Sequence, residues 1–206
     1  MAVAAPSELK KSDFFAFLGL SRKLNIDAAD LEQRYRALSR QFHPDYFYNA
    51  PPAERRASLE RSSYLNDAYR TLKNNATRIE YLLKLEGAMA TSNDGAQSAN
   101  AAPPAGLLEE VFALNEELDE IRELRANGAP ADQWKPRLDN ARAPIDAKRV
   151  NHEAQLQELS RSWDTLVERN ASDAERRRVL DELRERFLER NYINNLLAGI
   201  ERELSS

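Results

Sequence analysis

The sequence predicts an all-α protein: an N-terminal helical hairpin with short flanking helices, then a C-terminal three-helix bundle. Ala, Leu, Glu and Arg dominate the 206 residues and only 6 are Gly, a composition of strong helix formers. Apolar residues recur every three or four positions, while alternating runs rich in Val, Ile and Thr are almost absent, which is the helical period and not the strand period. The stretch EGAMATSNDGAQSANAAPPAG, residues 86–106, has little to bury and two adjacent prolines; it is expected to be a flexible linker. It separates a first domain, 12–85, from a second, 107–206.

The elements follow in order. Ser12 or Asp13 can cap a first short helix carrying Phe14, Phe15, Phe17, Leu18 and Leu20. Asp27 caps a second, with Asp30 near its positive end; its apolar stripe is Leu31, Tyr35, Leu38 and Phe42, in steps of four, three and four. A third helix runs from about Ala53 to Lys73 with Leu59, Leu65, Ala68, Tyr69 and Leu72 expected inward, and a fourth from about Ala76 to Leu85. Beyond the linker, one helix covers about 106–125 and stops at Asn127-Gly128. The next, about 131–169, contains Pro136 and Pro144, the latter a candidate kink, and draws its later apolar face from Ile145, Val150, Leu156, Leu159, Trp163, Leu166 and Val167. Ser172 and Glu175 form a capping-box pattern for the last, running to about 204.

Several functions are set aside by composition. A net charge of -4 does not suggest a nucleic-acid binder. No apolar run reaches the length of a membrane span. The opening residues MAVAAPSELKK carry neither an apolar signal core nor an Arg/Ser-rich presequence, so a cytoplasmic protein is expected. There is no Cys, hence no disulfide and no thiolate metal site. His152 stands alone in its helix and is read as a solvated or packed residue, and Trp134 and Trp163 as packing. No cofactor is expected.

The most informative stretch is SRQFHPDYFYNAPP, residues 39–52. At roughly 100° per residue, Arg36 and Arg40 lie opposite the apolar stripe of the second helix. His43 follows, Pro44 forces the chain out of the helix, and Asp45 is left with a free carboxylate. The result is an exposed array of basic and acidic groups suited to docking on a polar partner. A plain helix stop and turn is also open, since Pro and Asp are ordinary residues there. A catalytic His–Asp pair is not favoured: no nucleophile is near in sequence, and the proline is expected to point the two side chains apart.

Taken with DFFAFLGL, LEQRYRALSRQFHPDYF and SYLNDAYRTLKN, the region resembles a J-domain over nearly its whole length. The resemblance implies that His43, Pro44 and Asp45 stimulate ATP hydrolysis by a DnaK-class chaperone, with Arg36 and Arg40 as basic contacts. Tyr46 stands where the family commonly has lysine.

In LLEEVFALNEELDEIRELR, residues 107–125, Leu107, Val111, Leu114, Leu118 and Ile121 fall within about 40° of one direction on a helical wheel. Leu108, Phe112, Glu116 and Glu120 form a second stripe that the core does not need. It reads either as a contact surface or as a widening of the core face. A J-domain followed by a bundle carrying EELDEI (116–121) and RFL (186–188) resembles the HscB family of iron–sulfur co-chaperones. That resemblance implies a bundle that binds an iron–sulfur cluster scaffold protein, through Leu108, Phe112, Glu116, Glu120 and Phe187, and a J-domain that recruits a specialised HscA-type ATPase. Phe187 also continues a core-like spacing from Leu180 and Leu183. Eukaryotic relatives carry a cysteine-rich zinc site; its absence here favours a bacterial-type member. The expected chain is a monomeric, non-enzymatic adaptor without bound metal, and the alternative is a general J-protein that presents unfolded clients.

Overall fold

The computed structural model describes residues 12–89 and 104–205. Most of the expected linker, 90–103, lies outside the described residues. Seven α-helices and two 3-10 turns, with no strand, make up the described residues: α1 Phe14–Phe17, α2 Ala28–Phe42, a 3-10 turn Pro44–Phe47, α3 Pro52–Lys73, α4 Asn75–Leu85, a 3-10 turn Ala105–Leu107, α5 Leu108–Ala126, α6 Ala131–Glu168 and α7 Asp173–Ser205.

Helix starts obey local chemistry. Asp13 accepts the Ala16 amide at 2.9 Å, Asp27 the Ala29 amide at 2.7 Å, and Asn74 the Ala76 amide at 2.9 Å, each satisfying an orphan N–H of a first turn. At α7 the capping box forms. The Ser172 hydroxyl and amide donate to Glu175 Oε2 at 2.8 and 3.1 Å, and the Glu175 amide donates back to Ser172 Oγ at 3.4 Å. Gly128, at φ +78, ends α5 in the left-handed conformation that a Cβ disfavours.

The chain forms two compact units that do not follow chain order. The first holds the described residues up to Met89 together with Ser160–Asp181; the second holds the described residues from 104 to Leu159 and from Glu182 onward. In the first, α2 and α3 form an antiparallel hairpin. Tyr35 stacks on Tyr69 with centroids 4.2 Å apart, and its hydroxyl donates to Asn66 Oδ1 at 2.9 Å. Phe14 stacks on Tyr81 at 4.5 Å, and Phe17 meets Tyr64 edge-on at 4.9 Å. Phe15, Leu24, Leu31, Leu65, Leu72 and Leu82 are buried. Ala88 and Met89, the first residues of the stretch read as linker, are also buried, and Gly87 offers its carbonyl to Arg177 at 3.4 Å.

Residues 160–181 belong to this unit through specific contacts. The Trp163 indole donates to the Arg22 carbonyl at 2.7 Å, Asp164 accepts the amides of Leu24 and Asn25, and Lys23 pairs with Glu168 at 2.6 Å. The second unit has its own core, built from Leu107, Val111, Leu114, Leu118 and Ile121 of the first wheel stripe, with Trp134, Leu138, Ile145, Ile193, Leu197 and Ile200.

Two residues expected inward are exposed. The buried positions of α3 are Ala57, Ser58, Arg61, Leu65, Ala68 and Leu72, and Leu59, one residue beyond Ser58, faces solvent. Along α6 the buried series is Ile145, His152, Leu156, Ser160 and Trp163, spaced by seven, four, four and three; Val150 lies off it and is exposed. His152 therefore takes a core position. Its Nδ1 faces the Lys148 carbonyl at 2.9 Å and its Nε2 the Glu189 carboxylate at 2.7 Å.

Candidate functional site

The first candidate site is the tip of the α2–α3 hairpin. α2 ends at Phe42 because His43 leaves the helical region, with φ −61 and ψ 128, the extended conformation that a following proline demands. The Phe42 carbonyl, which loses its intrahelical partner there, accepts the Ser58 hydroxyl from α3 at 2.9 Å. The Arg61 guanidinium lies 5.9 Å from the centre of the Phe42 ring. The end of α2 is thus fastened to α3 just before the turn.

Pro44 opens the 3-10 turn, where its missing N–H costs nothing. The Tyr46 amide donates to the His43 carbonyl at 3.1 Å, and the Asp45 amide donates to His43 Nδ1 at 3.3 Å. The imidazole thereby caps its own turn. In the neutral ring Nδ1 is the acceptor, so Nε2 carries the proton. Asp45 Oδ2 lies 3.4 Å from the same Nδ1. The proline does not point the two side chains apart, as the sequence suggested: the tight turn folds the carboxylate back beside the ring. Both groups are exposed. Arg36 and Arg40 are exposed on α2; Arg36 pairs with Glu32, and Arg40 donates Nε to the Arg36 carbonyl at 3.3 Å.

The second candidate site is the outer stripe of α5, in the other unit. Leu108 is 38% exposed and Phe112 65% exposed, and Glu116 and Glu120 are exposed beyond them. The two large apolar side chains do not widen the core; they sit beside it. Glu120 is not a solitary carboxylate. Arg137, from α6, donates Nη2 to Glu120 and Nε to Glu117, and these hydrogen bonds, that to Glu117 foremost, raise the guanidinium pKa above its ordinary value. Arg137 went unnoticed in the sequence because its partners lie on another helix, at no fixed spacing. Nearer the start of α5, Lys148 pairs with Glu110 at 2.8 Å and donates to the Gly106 carbonyl at 3.0 Å. The hydrogen bond from Lys148 holds the Glu110 carboxyl below the usual range.

Phe187 is a correction. Its ring is 2% exposed and continues the buried series Leu180, Leu183, so it packs the interior of the bundle and offers no surface to a partner. His152 is buried against Glu189, and Arg186 donates to the same carboxylate oxygen. Among the described residues no group of His, Cys, Asp and Glu could hold a metal ion, and no helix is long and apolar enough to cross a membrane.

Comparison with known proteins agrees with this geometry. Residues 13–81 match the family model of the DnaJ domain, a span that contains the whole hairpin and its tip. The fold is similar to that of the chaperone HscB from Vibrio cholerae, at a TM-score of 0.59 and 25% identity, over 94% of this chain and 98% of that one. It is also similar to the human co-chaperone protein HscB, at a TM-score of 0.58 and 24% identity, over 93% of this chain and 82% of that one. Residues 13–81 are thus similar to a DnaJ domain and carry His43-Pro44-Asp45 at the hairpin tip, and the helical fold is similar to that of HscB chaperones along nearly its whole length.

Proposed function

We propose that this co-chaperone is an adaptor in iron–sulfur cluster maturation. The first unit docks on a DnaK-class ATPase of the HscA type through His43, Pro44 and Asp45, with Arg36 and Arg40 beside them, and stimulates ATP hydrolysis. The second unit binds an iron–sulfur cluster scaffold protein through Leu108 and Phe112, with Glu116 and Glu120 as the acidic continuation. Holding both partners at once raises the local concentration of scaffold at the ATPase. The work is done in the cytoplasm by a monomer that catalyses no reaction of its own. The cluster is cargo of the scaffold; this chain, without Cys, offers it no thiolate.

The observation that carries this reading is the turn at 43–45. An exposed imidazole and carboxylate are presented on a hydrogen-bonded turn whose base is tied to α3, within residues matched by the DnaJ-domain model. Such a rigid polar surface suits docking, because little order has to be gained on contact. The exposed Leu108–Phe112 pair supports the scaffold half, since large apolar side chains outside a filled core are the usual material of a binding hot spot.

The test is ATP hydrolysis by the purified DnaK-class ATPase of the same cell. His43→Gln is expected to abolish stimulation while helicity and unfolding midpoint stay unchanged, because the ring is exposed. Stimulation that persists in the variant refutes the docking assignment. For the scaffold half, capture by an immobilised unrelated unfolded protein in preference to the scaffold supports a general client-presenting J-protein instead.

A further inference from the structure

Tyr48 and Tyr46 are the most exposed large hydrophobic side chains among the described residues, at 78% and 74%. Both leave the same short turn, and the turn is fixed by its own main chain: the Tyr46 amide donates to the His43 carbonyl at 3.1 Å and the Tyr48 amide to the Asp45 carbonyl at 3.4 Å. Of the two rings, Tyr46 meets the His43 imidazole edge-on, with centroids 6.1 Å apart and planes at 72°. His43 and Tyr46 therefore present neighbouring rings on one surface of the turn. α2 and α3 pack through Tyr35 on Tyr69 and Arg61 on Phe42, without the Tyr46 ring.

A tyrosine held by a rigid turn is an efficient anchor. It offers a large flat apolar area with only two side-chain torsions to freeze, and a hydroxyl for a polar rim. Tyrosine and arginine are also the residue types enriched at interface hot spots, and the exposed Arg36 and Arg40 lie on the helix that leads into this turn. The arginines call for carboxylates on the partner, whereas the neutral Tyr46 ring calls for an apolar recess. We propose that Tyr46 is an anchor and a specificity determinant of the docking surface for the DnaK-class ATPase, and that the cognate ATPase places an apolar recess, not a carboxylate, opposite it. This rests on the J-domain reading of His43-Pro44-Asp45. Its consequence is that part of the docking energy at the turn comes from burial of the ring and is insensitive to salt, in contrast to the contribution of the arginines.

The experiment measures the concentration of full-length chain needed for half-maximal stimulation of the purified ATPase, at low and at high salt, for wild type, Tyr46→Ala, Tyr46→Lys and His43→Gln. Circular dichroism checks that each is folded. Tyr46→Ala is expected to raise that concentration about tenfold at both salt levels, an anchor-sized effect. Tyr46→Lys is expected to be as poor as alanine or worse. If His43→Gln abolishes stimulation but Tyr46→Ala behaves as wild type, the anchor assignment falls and the J-domain reading stands. If Tyr46→Lys docks more tightly than wild type at low salt, a carboxylate faces position 46 and the apolar recess is refuted. If His43→Gln stimulates normally, the docking reading falls and takes this proposal with it.

Discussion

Asp164 and Leu24 are 140 residues apart in sequence, yet the Asp164 carboxylate accepts the Leu24 amide at 2.6 Å. The same side chain accepts the amide of Asn25 at 2.9 Å and its side-chain Nδ2 at 2.8 Å. The loop between α1 and α2 has no secondary structure to satisfy these groups, and burial denies the Leu24 amide water. One carboxylate supplies all three bonds, and Trp163, its neighbour, closes the adjoining Arg22 carbonyl.

Removing that carboxylate leaves the buried Leu24 amide without its acceptor. Asp164→Ala is expected to destabilise the protein by about 1–3 kcal/mol, the cost of one orphaned buried group. Asp164→Asn, which keeps one acceptor oxygen, is expected to cost less. Urea unfolding followed by circular dichroism measures both; a midpoint unchanged in the alanine variant contradicts the clasp.

The two stripes of α5 separate stability from binding. Leu114, 2% exposed in the core, is expected to cost about 2–5 kcal/mol when cut to alanine. Phe112→Ala is expected to cost well under about 1 kcal/mol, because an exposed ring leaves no cavity. Its effect is expected instead on scaffold affinity, a loss of on the order of 2 kcal/mol. Unfolding curves and a scaffold titration on the two variants distinguish the roles. A Phe112→Ala protein as unstable as Leu114→Ala, with no separate binding defect, shows that the stripe is structural.

Glu175 gives the fold a dependence on acid. Hydrogen bonds from the Ser172 hydroxyl first, then from Arg169, pull its carboxyl from 4.5 down to about 2. A carboxylate depressed in the folded state contributes stability that is fully present above its unfolded value and is lost as pH falls through the folded one. The contribution of this cap therefore disappears between about pH 4.5 and about pH 2. Glu175→Gln is expected to lower the thermal midpoint at neutral pH and to flatten the acid limb in that window. An acid limb as steep in the variant as in wild type contradicts the role of the cap.

What could be read in the sequence was local. Caps at Asp13, Asp27 and Ser172–Glu175 depend on neighbours within a few residues, and they formed as expected. The core stripe from Leu107 to Ile121 depends only on helical period, and all five of its residues are buried, although Leu107 lies in the 3-10 turn just before α5. Period was a poorer guide where residue type pulled against it. Val150 looks like core and His152 does not, but the spacing from Ile145 to Leu156 selects position 152, and Glu189 supplies the polar partner that makes a buried imidazole tolerable. Asp164 and Arg137 were illegible for a different reason. Each acts on a segment with no fixed sequence offset, and on its own helix each is an ordinary surface charge. Of the site residues, the turn at 43–45 and the exposure of Phe112 were legible because one follows from proline and the other from the wheel. The burial of Phe187 was signalled only by its spacing from Leu180 and Leu183.

The central claim is that one chain couples two partners, and ATP hydrolysis by the DnaK-class ATPase, measured with and without the iron–sulfur scaffold protein, tests it most directly. Wild type is expected to stimulate the ATPase alone and to stimulate it further when scaffold is added. Phe112→Ala is expected to keep the first effect and lose most of the second, whereas His43→Gln is expected to lose both. If scaffold adds nothing to wild-type stimulation, or if an unrelated unfolded protein adds as much, the chain is not the proposed adaptor.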